Sequence, residues 1–355
     1  MSAPEPDVPA ADGSRAWWRG RAVRAGAWVV VAACAWFAVQ RLVGAVDWRA
    51  VADAFTHVPA AVVGPLVGLL LVRQALNAVP LACYVENLSL SRSLQNDLAA
   101  YLVGSFTPPP ADMAVRVAMF RAWRVDSAQG LAGVGLNTAT FYAVRFGVPV
   151  VGVALLALGD GVERRQVVAT VLCALVAAAC FVALALLLRS AALAAWMGRS
   201  AARVVARVRR GVDPESWAVY LTDLRERTAD RLRTGLVPSL LALLGMVVVD
   251  GLMLHVTLRA VGVPASALSL VDVLAVFLVA YPLTLLPLFG LGVMDAVLVG
   301  AWTTVAGAAF EPDLVAATLA WRALTLVGPL LMGLVVVAAW RWRDRDGATT
   351  DVGAR

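Results

Sequence analysis

The sequence predicts an all-α polytopic membrane protein of about eight transmembrane helices, with re-entrant or broken segments near 94–116 and 281–295. Three observations carry this. The 355 residues are 61% hydrophobic and 15% charged, and the mean hydropathy is +0.79. Apolar stretches of about 20 residues, enough to cross the hydrocarbon core, recur along the chain. Arginines gather between those stretches, as positive charge does in cytoplasmic loops. This composition excludes a soluble globular protein.

In chain order, residues 1–22 begin with a Pro-, Ala- and acid-rich stretch and are expected to form a disordered cytoplasmic N-terminus. Residues 23–343 form the membrane domain, and 344–355 a cytoplasmic tail. Predicted spans are 24–45, 60–83, 127–158 (bent near Pro149), 166–188, 236–258, 267–286, 290–309 and 314–340. The segment 94–107 is too short and too polar at its start to span, so a re-entrant or interfacial piece is expected there. Between spans four and five, 196–234 is a polar insertion. It holds an N-terminal helix signal at Asp213-Pro214-Glu215, followed by apolar residues on one face. An amphipathic helix on the inner leaflet is expected from it. Interspersed acids dilute its basic face, so nucleic acid is not an expected partner.

Arginine placement predicts both termini in the cytoplasm. Eight crossings satisfy it, and so do six crossings with 267–309 as a re-entrant hairpin. All 30 basic residues are arginine. Alongside abundant Ala, Val, Gly and Leu, this matches a GC-rich bacterial genome and places the chain in a bacterial plasma membrane. Cys34, Cys83, Cys173 and Cys180 lie in apolar stretches without metal-ligand spacing, and two histidines cannot build a histidine cluster. No metal and no cofactor are expected.

Arginines also occur inside predicted spans: Arg73 in LVGLLLVRQALNAVPL, Arg145 in TATFYAVRFGVPVVGV and Arg322 in AATLAWRALTLVGPLL. A charge at mid-bilayer costs about 2.5–3.5 kcal/mol on insertion scales, so such groups face protein or an aqueous cavity. The clearest buried acids are Asp250 and Asp295. The excess of cations points to an anion from outside the chain, with lipid phosphate as the first candidate. Arg73 sits in a polar patch with Gln74 and Asn77. It is read equally as phosphate ligand, through the guanidinium fork, or as internal ion pair. Arg145 either snorkels or pairs. Asp250 and His255 are read as a polar core pair, with a proton relay as the alternative.

Two stretches break the helical pattern. The first spans 105–116, where Pro108, Pro109 and Pro110 cannot continue a helix and Thr107, Asp112 and Arg116 project from broken backbone. The second spans 281–295, with Pro282, Pro287, Gly290 and Gly292 ahead of Asp295. Irregular backbone at membrane depth is tolerated only against protein or a water-filled cavity. Paired interruptions in the two halves of a chain point to a transport site. Ordinary interhelical loops are the competing reading.

In these stretches the chain resembles the transmembrane, flippase-like domain of the lysylphosphatidylglycerol synthases and their stand-alone relatives, over about residues 25–343. Gly290-Leu291-Gly292-Val293, an acid two residues later at Asp295, and Trp321-Arg322-Ala323-Leu324-Thr325 occur in the family's order. Thr107-Pro108 through Arg116 is similar to the family's Thr-Pro-Gly-x-x-Gly-Glu-x-x-Arg, and Ser127 matches a serine that opens the next helix. The chain departs at Pro109 and Asp112, which replace glycines, and at Met113, which replaces the acid. Leu288-Phe289 stands for Pro-Gly, Met294 for a basic residue, and Asp295 for Glu. Thr138-Ala139 occupies the place of the family's Glu-Arg pair. The resemblance implies movement of an anionic phospholipid or polyprenyl-linked lipid between leaflets. Lipid aminoacylation is not expected, because the tail is too short for the family's lysyl-transferase domain.

The expectation is therefore a non-enzymatic lipid translocator. Arg73, Arg116, Arg322, Asn77 and Thr107 would contact the headgroup, with Asp112, Asp250 and Asp295 as supporting acids or gate. Membrane lipids are the expected partner. A non-transporting lipid-binding or scaffold protein, serving an envelope-lipid biosynthetic enzyme, is the alternative. A membrane-embedded transferase or hydrolase ranks last, for want of a base or metal ligands near the arginines.

Overall fold

The computed structural model describes residues 59–107, 111–157, 168, 170–179, 182, 192, 195–196, 199–200, 202–203, 213–286 and 290–352. The predicted 24–45 span, the 1–22 segment, Pro108, Pro109, Pro110 and Pro287 lie outside them. Among the described residues every regular element is a helix, and the chain is an all-α polytopic membrane protein. The main helices are α1 (Ala60–Tyr84), α2 (Leu90–Phe106), α3 (Ala111–Ala122) and α4 (Ser127–Ala157), then α5 (Pro214–Ala260) and α6 (Leu270–Ala280). Next come α7 (Val293–Ala306), α8 (Glu311–Arg322) and α9 (Gly328–Val352). A helical stretch at Thr170–Ala179 lies within the predicted 166–188 span.

Four helical segments are long and apolar enough to cross a bilayer: Ala60–Tyr84, Ser127–Ala157, Arg231–Ala260 and Ala308–Trp342. The predicted spans 267–286 and 290–309 become two shorter apolar helices, Leu270–Leu285 and Val293–Ala306. They are joined through a 3₁₀ turn, Tyr281–Leu285, and the Gly290–Gly292 region. The interruption between these two helices therefore coincides with the predicted break. Pro149 is accommodated inside the uninterrupted 31-residue α4.

One expectation changes. The 214–234 part of the insertion is not a separate helix but runs into the fifth predicted span as a single 47-residue α5, about 70 Å long at 1.5 Å per residue. Ala, Leu, Arg and Glu, all good helix formers, recur through 215–234, and no Gly or Pro interrupts the stretch before Gly235 and Pro238. The helix starts as its sequence indicates: the Asp213 carboxylate accepts from the amides of Glu215 (3.1 Å) and Ser216 (3.0 Å), and Pro214 takes the first helical position.

Helix α5 is the hub. It packs most extensively on α1 and also on α4, α8 and α6. The main core joins Leu66 and Leu70 of α1, Val144 and Val148 of α4, and Leu243 through Leu258 of α5 to α6, α7 and α8. Phe277 sits edge-on to both Tyr281 (5.5 Å between centroids) and Trp321 (5.8 Å). Small residues set the closest helix approaches, as they do where backbones must meet without a hydrophobic drive. A Cβ at Gly152 would lie 2.8 Å from the Ala275 carbonyl, and one at Gly333 would lie 2.5 Å from that of Leu98. The first contact closes α4 on α6, the second α9 on α2.

Candidate functional site

Four buried or half-buried arginines from four helices line one cavity of about 330 Å³: Arg73 (α1), Arg116 (α3), Arg145 (α4) and Arg322 (α8). That volume is at the low end of the 300–1,000 Å³ usual for small-ligand sites. Asp97, Asp112 and Asp250 share the lining, with Tyr281 and Thr284 from the 3₁₀ turn and Thr325 beyond α8. The hollow lies deep along the spans. Arg73, Arg145, Asp250 and Arg322 each stand at least ten residues from either end of their spanning segment, about 15 Å along the axis.

Three arginines are ion-paired, each across a helix–helix interface. Arg73 Nε donates to Asp250 Oδ1 at 2.6 Å, and its Nη1 donates to Gln74 Oε1 at 2.5 Å. This joins α1 to α5. Arg116 Nη1 donates to Asp97 Oδ1 and to Asn96 Oδ1, both at 2.7 Å, joining α3 to α2. Arg322 Nε donates to Asp295 Oδ1 at 2.7 Å, joining α8 to α7. The other oxygen of Asp295 accepts from the Gly292 amide at 2.9 Å and so caps α7. One carboxylate thus satisfies an orphan helix-start donor and a buried guanidinium together. The cap rests on a turn that needs glycine. Gly290 has φ +73°, and a Cβ there would come 2.4 Å from the Leu283 carbonyl oxygen. Directly after Arg322 the helix widens into a π turn, Ala323–Val327, a feature frequent at functional sites.

Arg145 differs. It is 8% exposed, and among the described residues it has no carboxylate and no hydrogen-bond partner; its buried Nε is unsatisfied. Its guanidinium lies 4.4 Å from the Phe141 ring centroid and 5.9 Å from that of Tyr142. A desolvated cation–π contact is worth up to about 2 kcal/mol, against several kcal/mol for taking one ion out of water. Asn137, Phe141 and Arg145 follow at spacings of four, so one stripe of α4 faces the hollow.

Further lining atoms lack protein partners. Arg116 Nε and Trp321 Nε1 are unsatisfied donors, and Asp97 Oδ2 is an unsatisfied acceptor. Such atoms are uncommon in folded interiors and call for a physical account.

The structure brings together most of the residues expected at the site. Arg73, Arg116, Arg322, Asn77, Asp112 and Asp250 line the cavity, and Asp295 reaches it through Arg322. Thr107 does not. It is exposed at the end of α2, and its hydroxyl donates to the Val103 carbonyl at 2.5 Å. A threonine leaving a helix satisfies a nearby carbonyl before it can serve a distant ligand. Asp250 and His255 form no pair, because Asp250 is committed to Arg73, while His255 Nδ1 has no partner. The predicted excess of cations is also smaller than the sequence suggested. Asp97, buried in α2, neutralises Arg116. Segment 94–107 read as re-entrant or interfacial because it is short and polar at its start, yet Asn96 and Asp97 in that start are buried against a neighbouring helix.

A family model described as the lysylphosphatidylglycerol synthase TM region matches residues 24–333, a range that contains every residue of the cavity. No curated protein and no solved structure matches the chain. On that match over most of its length, and with its apolar helices, this chain belongs to the family of the lysylphosphatidylglycerol synthase transmembrane region.

Proposed function

We propose that the protein is a lipid translocator of the flippase type in a bacterial plasma membrane, with both termini cytoplasmic. It moves an anionic phospholipid or polyprenyl-linked lipid between leaflets. The observation that carries the reading is the convergence of guanidinium groups from four helices on one hollow deep along the spans. Dehydrating a lipid phosphate is the main barrier to leaflet exchange. Guanidinium forks match phosphate geometry and offset that cost, while the acyl chains stay in lipid. Paired arginines tie α1 to α5, α3 to α2 and α8 to α7, so headgroup entry is coupled to the positions of six helices. The protein needs no covalent chemistry, metal or cofactor for this, and we do not read it as an enzyme.

A second reading has its own support. Three of the four guanidiniums are neutralised in place, which suits a static lipid-binding or scaffold protein beside an envelope-lipid biosynthetic enzyme. Reconstitution separates the two. Vesicles carrying the protein and a fluorescent phosphatidylglycerol are expected to expose inner-leaflet probe to an external quencher faster than protein-free vesicles. Exchange no faster than in protein-free vesicles, with lipid still retained through purification, would replace the translocator with the scaffold.

A further inference from the structure

The geometry assigns the anion-binding role within this cavity to Arg145 and leaves Arg73, Arg116 and Arg322 as clamps that shape it. The ligand is a phosphate, either that of a lipid headgroup or a free phosphate ion. The assignment rests on the translocator reading for its purpose, but on the site's own geometry for its content.

The four guanidiniums are not equivalent. Each of the three clamps has a carboxylate oxygen at 2.6–2.7 Å across a helix interface. An incoming anion must compete with that carboxylate, and displacing it leaves a buried acid without its cation. Arg145 asks for no such exchange. It is more than nine-tenths buried, it lines the same hollow, and among the described residues it makes no hydrogen bond or ion pair. A guanidinium stays protonated in proteins, so it cannot shed its charge to suit the site. The Phe141 ring fixes one face of the guanidinium, leaving its edge donors for a planar acceptor pair. Trp321, on the same cavity, adds an indole N–H without a partner. An oxygen-rich, negatively charged ligand satisfies both.

Stability separates this from a purely structural role. An unpaired buried cation held for a ligand weakens the empty protein, whereas a clamp strengthens it. Binding of two probes would be measured by titration calorimetry in a neutral maltoside detergent: inorganic phosphate, and short-chain phosphatidylglycerol below its micelle concentration. Arg145→Gln is expected to weaken binding at least tenfold while leaving Tm equal to or above the parent protein's. Arg145→Lys keeps the charge without the fork and should fall between. Arg322→Gln should lower Tm. Arg145-dependent binding of both probes identifies a bare phosphate site, and dependence for the lipid alone identifies an intact headgroup site. Binding of both probes by Arg145→Gln as by the parent overturns the assignment, and so does a Tm loss in Arg145→Gln as large as that in Arg322→Gln. Failure here with vesicle exchange intact leaves the translocator reading standing. Arg145-dependent binding without exchange removes that reading and keeps this one.

Discussion

The Arg322 corner and the Arg145 wall face the same cavity with the same side chain and solve opposite problems. At the corner, Asp295 is shared between Arg322 and the start of α7, and the next turn of helix is π. At the wall, Arg145 is set against aromatic rings and, among the described residues, is paired with no acid. The first arrangement joins helices. The second leaves a charge waiting. Burial alone does not distinguish a structural arginine from a binding one; the position of the nearest carboxylate does.

The largest effect should come from removing the shared acid. Asp295→Ala leaves a buried guanidinium without its carboxylate and α7 without its cap, and is expected to destabilise the protein by about 3–5 kcal/mol. Thermal unfolding followed by size-exclusion should show the loss, and a wild-type Tm would mean the corner is no clamp. A smaller effect should follow from Gly290→Ala. A Cβ there meets the Leu283 carbonyl and the backbone needs positive φ, a strain of about 1–3 kcal/mol. The change should reach the cavity through Asp295 and through the turn that carries Tyr281 and Thr284, so phosphate binding should weaken along with the fall in Tm.

The smallest effect serves as the exposed counterpart of the corner. Asp213 also caps a helix, but in the open. Its hydrogen bond from the Ser216 hydroxyl, then those from the Glu215 and Ser216 amides, hold its carboxyl below the usual range. A depressed value means the cap contributes at neutral pH and is lost as pH falls through the folded-state pKa. Lower protection factors at the Glu215 and Ser216 amides, taken relative to the intrinsic exchange rate at each pH, are expected in Asp213→Ala and in the acidified parent protein, with Tm barely moved. A large Tm fall would make the start of α5 part of the cooperative unit.

Much of the fold was legible, because span length and apolar composition respond to local sequence. The beginning of α5 at Asp213-Pro214 and the break around Gly290 follow from backbone chemistry within a few residues. The continuity of α5 was misread, since polar content suggested a surface segment where good helix formers simply extended a span. At the site, Arg73, Arg116 and Arg322 stood out as charges in apolar or motif surroundings. Asp97 did not, because a polar helix start looks alike whether it faces water or a neighbouring helix. The Asn137, Phe141, Arg145 stripe was readable at spacings of four, but nothing nearby in sequence marked it as facing a hollow.

Composition and spacing were enough to establish a membrane bundle, where its backbone breaks, and which charges could not face lipid. They could not establish which acid meets which arginine. Asp250 lies 177 residues from Arg73, and Asp295 lies 27 from Arg322. A hydrogen bond forms at about 3 Å in space regardless of such separations. Only the packing of α1 on α5, α2 on α3 and α7 on α8 brings three carboxylates to three guanidiniums and leaves Arg145 without one.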